Sequence, residues 1–114
     1  MTIWERIYNA LAPLGLPMAA GAMIVDSESE RPDTYLVYFL VSSPPVQHAD
    51  DNETLRSYLV QVSAYSRDGL KNLPDIAGAM KAAGFTQGAR RELPYNPETR
   101  HYGLAMDFNY LEEE

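Results

Sequence analysis

The sequence predicts an α+β fold: a single domain in which a mainly antiparallel sheet carries two helices on one face. Three observations lead to this prediction. The 114 residues suffice for one compact domain with one core. Two segments have apolar residues at helical spacing, and five have strand patterns, in the order α-β-β-β-α-β-β. The chain shows no internal repeat and no linker that would divide it.

The first helix is predicted from Thr2 to Ala12. Thr2 and Glu5 have the spacing of a capping box, in which a hydroxyl and a carboxylate bind free backbone N–H groups. Apolar residues follow on two neighbouring helical rows and predict one broad buried face: Ile3, Ile7, Leu11, Trp4 and Tyr8. Pro13, Gly15 and Pro17 are expected to end this helix.

The next two strands come from apolar runs. Residues 21–25 predict a short strand, and a polar acidic loop with Pro32 follows. Residues 34–43 are apolar on both faces. This pattern is typical of a central strand, or of one whose outer face contacts another subunit. Pro44 and Pro45 end this strand, and an exposed polar connection is expected over residues 46–52.

Residues 55–66 alternate with period two, which predicts a half-buried strand with Tyr58, Val60, Val62 and Ala64 on one face. The second helix is predicted over residues 73–83, with Pro74 in its first turn and Gly84 after its end.

A strand over residues 85–93 contains Gly88, which suggests a bulge. The final strand, residues 100–111, is predicted to turn one face inward: Tyr102, Leu104, Met106, Phe108 and Tyr110.

Sixteen acidic and nine basic residues give a formal net charge of −7. This charge argues against nonspecific nucleic-acid binding and against polybasic membrane binding, since both depend on Lys and Arg. Seven acids lie between Asp26 and Glu53, and three form the tail 112–114. Such clusters are usually solvated loops and frayed ends. A surface with an electrostatic function is the alternative.

The composition also limits the chemistry. The absence of cysteine excludes disulfides, thiol catalysis and Cys-rich zinc sites. The longest apolar runs are far shorter than a membrane-spanning helix, and no signal peptide is expected. His48, Asp50, Asp51 and Glu53 could ligate a hard metal, but their spacing fits no known loop and a solvated loop is expected. His101 is expected to be an ordinary residue of the polar strand face. We therefore expect no enzymatic activity, no metal and no cofactor.

The C-terminal half resembles the tail-completion or tail-terminator proteins of long-tailed bacteriophages and prophages. Three features carry the resemblance: a strand ending in V-x-x-Y-S at Val62–Ser66, a helix leading to Gly84-Phe85, and a turn from Asn96 to Tyr102 before an alternating strand. The N-terminal half fits more loosely.

The resemblance implies a small α+β subunit of the virion, made in the bacterial host cytoplasm. It implies assembly as a ring, commonly a hexamer, that stops growth of the tail tube and binds head–tail connector proteins. The family contributes no catalytic residues.

A ring subunit needs two different surfaces that bind each other. We expect part of one from the apolar strand, its proline-stiffened connection and a strand tyrosine: Tyr35, Val37, Phe39, Val41, Pro44, Pro45, Val46 and Tyr65. DNA passing through such a ring would adhere to a basic lumen but not to an acidic one. The candidate DNA-repelling residues are Asp26, Glu28, Glu30, Asp50, Asp51 and Glu53.

Two other functions fit the sequence. A small acidic protein could be an inhibitor or immunity-type module that binds a basic partner. The chain could also be a small-molecule-binding or enzymatic domain, with a pocket between the second helix and the sheet that holds polar groups such as His101 and Asp107.

Overall fold

A computed structural model describes residues 2–22, 31–43, 45–47, 54–71 and 73–113. The elements are α1 (Ile3–Leu11), a 3-10 turn (Ala12–Leu14), β1 (Met18–Ala20), β2 (Thr34–Ser42), β3 (Pro45–Gln47), β4 (Thr54–Ser66), α2 (Ile76–Ala82), β5 (Thr86–Asn96) and β6 (His101–Glu113). The predicted α+β class and order of elements are confirmed. The short strand β3 is an addition, and it spans the predicted stop at Pro45 and the start of the predicted polar connection.

The sheet has the strand order β1-β2-β4-β6-β5, and β3 pairs with β4 beyond the end of β2. All pairs are antiparallel except that of β1 with β2. Residues directly opposite each other in a ladder share a face. Tyr35 is opposite Tyr65, which is opposite Gly103. Odd-numbered residues of β4 and β6, and of β2 up to Phe39, therefore share one face, called here the opposite face. Their even-numbered neighbours form the helix face.

The hydrophobic core lies between the helix face and the two helices. α1 contributes Ile3, Ile7 and Leu11, and α2 contributes Ile76 and Met80. The sheet contributes the buried even-numbered residues Leu36, Tyr38, Val60, Val62, Ala64, Met106 and Phe108. Burial of each large apolar side chain stabilises the fold by about 1.5–3 kcal/mol before entropy is counted.

The capping box of α1 is present. The Glu5 backbone N–H donates to Thr2 Oγ1 at 3.2 Å, and the Thr2 N–H donates to Glu5 Oε1 at 3.0 Å. The predicted burial of Trp4 and Tyr8 is wrong, since these side chains are 46% and 52% exposed. Only the row formed by Ile3, Ile7 and Leu11 faces the core, and Trp4 and Tyr8 lie on the outward side of α1.

α2 begins at Ile76, three residues later than predicted, because Asp75 is its N-cap. The Asp75 side chain accepts a hydrogen bond from the Gly78 N–H at 3.0 Å. Pro74 consequently precedes the helix. Gly84 follows the helix at φ 98°, a conformation that favours glycine.

The bounds of β1 and β5 differ most from the prediction, and β6 ends two residues later than predicted, at Glu113. β1 lies at Met18–Ala20, ahead of the predicted 21–25, and Gly21 then adopts φ 81°. Residues 23–25 lie outside the described ranges. β5 continues through Pro94 to Asn96, because a proline is tolerated where β5 forms the edge of the described sheet. The bulge predicted at Gly88 is confirmed by a shift of register between Gln87 and Arg90.

Replacement of Phe108 by alanine should lower the free energy of unfolding by about 3–5 kcal/mol, because the side chain is fully buried in the core. Tyr102, predicted to face inward on the same strand, is instead largely exposed and packs beside Tyr95, with ring centroids 4.7 Å apart. Tyr102→Ala should therefore cost about 1 kcal/mol or less. Urea unfolding of both variants measures the difference, and equal losses would contradict the assigned packing.

Stability should fall at acidic pH partly through Glu5. The hydrogen bond from the Thr2 backbone N–H lowers the pKa of this carboxyl. A lowered folded-state pKa stabilises the fold above the ordinary value, and this stabilisation is lost as the pH falls through the lowered value. Glu5→Gln keeps a capping side chain that does not titrate. Between about pH 6 and pH 3, the wild type should lose more melting temperature than Glu5→Gln. Parallel curves would contradict this role.

Candidate functional site

The predicted interface residues of β2 and β4 lie mainly on the opposite face. Tyr35 and Val37 are buried there, while Phe39 and Val41 are 38% and 46% exposed. Val41 stands at the register shift between Leu40 and Ser42, where the strand bulges. Phe39 and Val41 are therefore the large apolar side chains that β2 exposes at the surface.

The remaining predicted interface positions are less defined. Pro45 and Val46 belong to β3, whose backbone pairs with Arg56 and Leu55 of β4. Seven candidate residues lie outside the described ranges: Pro44, Asp26, Glu28, Glu30, Asp50, Asp51 and Glu53.

Aromatic rings meet where β2 begins and β4 ends. The Tyr35 and Tyr65 rings stack with centroids 5.0 Å apart, and the His101 ring meets the Tyr35 ring edge-on at 5.1 Å. His101 was expected to be an ordinary polar-face residue, but it is buried. Its Nε2 lies 2.8 Å from the Pro32 carbonyl oxygen. Because a carbonyl only accepts, Nε2 carries the proton. Nδ1 then has no hydrogen-bond partner in the described part of the chain.

Arg67 ties three segments together beside these rings. Its Nη1 lies 2.8 Å from Asp33 Oδ1, and its Nε donates to the Thr99 carbonyl at 2.9 Å. Its backbone N–H donates to the Asp33 carbonyl at 2.9 Å. These bonds, with the one from His101, fix the start of β2 against the end of β4 and the turn before β6. We call this set of contacts the junction.

A cavity of about 300 Å³ opens at the junction, and both Arg31 and Glu98 line it. Across the described ranges, no three His, Asp or Glu side chains are grouped as metal ligands would be. The bonds of the junction join the start of β2, the end of β4 and the turn before β6.

A second cavity of about 410 Å³ lies between α2 and the sheet. The charged residues of its wall are Arg90 and Asp75. The remaining lining residues are apolar: Leu70, Leu73, Pro74, Ile76, Ala77, Leu104 and Met106. A small-molecule site here was expected to include His101 and Asp107. Both are odd-numbered residues of β6 and lie on the opposite face, so this part of that expectation is wrong.

The outward side of α1 forms a third surface, which the sequence analysis missed. Trp4, Glu5, Tyr8, Asn9 and Tyr38 line a shallow cavity of about 360 Å³. Burial raises the pKa of the Tyr38 hydroxyl, and the neighbouring Tyr8 adds to this effect. Local periodicity offers no signal for this exposure, because both rows of α1 are apolar at helical spacing.

Glu112, in the acidic tail, makes contacts that a frayed chain end would lack. Glu112 lies in β6 opposite Arg56, and its Oε1 is 3.3 Å from Arg6 Nη2. The Arg6 guanidinium also lies 4.9 Å from the centre of the Tyr110 ring. The prediction of a frayed end is therefore wrong for Glu112.

No protein-family description and no curated protein matches this sequence. No helix in the described ranges is long and apolar enough to cross a membrane. Among solved structures, the chain is similar to one described as the sheath/tube terminator of the extracellular contractile injection system PVC in its extended state, with a TM-score of 0.43 and 7% sequence identity. The likeness covers all of this chain and 58% of the other, so this chain spans little more than half of that protein's length. It is a distant structural likeness.

Proposed function

We propose that this protein is a structural subunit that caps the tail tube of a phage or prophage particle. In this role it forms a ring with other copies of itself, stops growth of the tube and presents the surface to which the head joins. DNA passes through the ring. We assign the protein no catalytic role and no cofactor.

The observation that carries this proposal is the exposure of large apolar side chains on separate sides of the molecule. Trp4 and Tyr8 are exposed on α1, Phe39 and Val41 on β2, and Leu111 near the end of β6. Contiguous exposed apolar groups mark interaction sites, and aromatic residues are enriched there. Surfaces in different places suit a subunit with several neighbours better than a monomer with one binding site.

The resemblance of the sequence to tail-terminator proteins indicates that the assembly is a ring. Its motifs correspond to the end of β4, the end of α2 and the turn into β6. The first and third meet at one end of the β4–β6 ladder, where Ser66 is opposite Tyr102, whereas Phe85 after α2 packs against Tyr110 toward the other end. A ring also requires two different surfaces on each copy. Exposed groups on α1 and on β2 supply candidates for these surfaces.

We further propose that the acidic residues keep DNA mobile in the ring. Phosphates bind surfaces rich in Lys and Arg, whereas this chain carries a formal charge of −7. The residues assigned to the DNA path are Asp26, Glu28, Glu30, Asp50, Asp51 and Glu53.

Capping can be tested on polymerising tail-tube protein from the phage or prophage that carries this gene. Purified protein added well below the tube-subunit concentration should shorten the tubes seen by electron microscopy, since each ring blocks one growing end. Phe39→Ser with Val41→Ser should weaken capping, because it removes exposed apolar area. Glu98→Gln, an exposed change in the β5–β6 turn, is the control. Unchanged tube lengths at equal concentrations of wild-type protein and tube subunits would contradict the function.

The DNA path can be tested by converting its six proposed acids to their amides. The variant should retain duplex DNA more strongly than the wild type at low salt, with a difference that shrinks as salt rises. Gel-shift titrations at several salt concentrations measure this. A variant with three other acids changed, Asp68→Asn, Glu92→Gln and Glu98→Gln, controls for net charge alone. If it gains as much binding per charge removed, the acids have no special location.

A further inference from the structure

The helix layer has two different surfaces on opposite sides, one toward β2 and one toward β5. α1 lies over β2, where its Trp4 and Tyr8 line a cavity with Tyr38. α2 lies beside β5, at the other end of the strand order. We call Trp4, Glu5 and Tyr8 the aromatic edge, and the 410 Å³ cavity between α2 and the sheet the α2 groove.

The aromatic edge projects from the molecule. Trp4 and Tyr8 are one helical turn apart, and both rings are about half exposed. Glu5, beside them, is exposed and carries a carboxylate whose pKa is lowered. Tryptophan and tyrosine dominate binding energies at protein interfaces, and an indole N–H needs an acceptor once it is buried.

The α2 groove is concave and has the complementary chemistry. Its floor includes Ile76, Leu104 and Met106, which are buried or half-buried. Arg90 stands at its rim, exposed, on the helix face opposite Met106. Asp75, on the wall, offers a carboxylate oxygen beyond the one that caps α2.

In the described part of the chain, Arg90 lacks the side-chain partners that the neighbouring Arg91 has. Arg91 lies on the opposite face, where its guanidinium meets Gln61 at 3.3 Å and Asp107 at 3.9 Å. Arg90 has no ion pair or side-chain hydrogen bond within the described ranges. It is therefore a guanidinium available to a carboxylate or an aromatic ring of a partner.

We propose that the aromatic edge of one copy docks in the α2 groove of a second copy, with Glu5 facing Arg90. The rings fill an apolar concavity, and the Glu5 carboxylate and the Arg90 guanidinium have opposite charges. A carboxylate oxygen of Asp75 can accept a hydrogen bond from the indole N–H. Because one surface lies on the β2 side of α1 and the other on the β5 side of α2, they cannot meet within one chain. Repetition of this contact is heterologous and closes into a ring when the rotation permits. The inference rests on the proposed function, for which it names the contact between subunits.

Directed crosslinking tests this contact, since the natural chain has no cysteine. Ala12→Cys places a thiol one turn beyond Tyr8, and Glu92→Cys places one beside Arg90 on the same face of β5. Both positions are exposed, and neither belongs to the proposed contact. The two variants, with different tags, are mixed at up to about 1 mM and mildly oxidised. The mixed disulfide should form at least about tenfold faster than either homodimer. Ser42→Cys replaces Ala12→Cys as the control thiol.

Second substitutions identify the groups responsible. Trp4→Ala in the Ala12→Cys chain, or Arg90→Glu in the Glu92→Cys chain, should abolish the preference for the mixed disulfide. Arg91→Glu, one residue away but on the opposite face, should leave it intact. Loss of the preference with Arg91→Glu but not with Arg90→Glu would overturn the proposal, as would equal rates for all three disulfides. Melting temperatures confirm that each variant is folded.

The outcome separates this contact from the proposed function. If wild-type protein caps tubes but crosslinking shows no preference, the contact is wrong and the capping function stands. If crosslinking is selective but tubes grow unchanged, the contact is right and the function is wrong. If Trp4→Ala prevents capping without altering crosslinking, the aromatic edge binds the tube protein and the proposed self-contact is overturned.

Discussion

The antiparallel ladder between β4 and β6 is the constraint on which the rest of the structure depends. It runs without interruption from Leu55 opposite Glu113 to Ser66 opposite Tyr102. Every other strand of the sheet pairs with one of these two or with β2, which itself pairs with β4. A shift of one residue would move Phe108 from the core to the opposite face, so burial on one side fixes the register. The division of the sheet into a helix face and an opposite face follows from that register.

Period-two patterns made this ladder predictable. Val60, Val62 and Ala64 alternate with polar residues, and this local pattern sufficed to assign their face. The start of α2 was placed too early, because the choice of Asp75 as N-cap depends on a competition between side-chain and backbone bonds. The exposure of Trp4 and Tyr8 depends on how far the sheet extends beneath α1, which is a tertiary property that local periodicity does not contain.

The candidate site was predictable to a similar extent. The apolar pattern of β2 identified Phe39 and Val41, which are exposed, but did not separate them from Tyr35 and Val37, which are buried. That difference arises from neighbours distant in sequence, since Tyr35 packs against Tyr65 and His101. The junction could not be predicted for the same reason. Its hydrogen bonds join the starts of β2 and β6 to the end of β4, segments that only the completed sheet brings together.

The way the α2 groove is built has a consequence for how an assembly responds to copies that are not fully folded. Its wall combines Leu73, ahead of α2, with Arg90 of β5 and Leu104 of β6. No continuous peptide reproduces it, and a chain in which β5 or β6 is unpaired does not have it. Exposed aromatic residues on α1, in contrast, belong to a single helix. Under the proposed contact, an immature chain could still dock its α1 in a folded copy but could not receive a further copy, so only an assembly made entirely of folded copies could close into a ring.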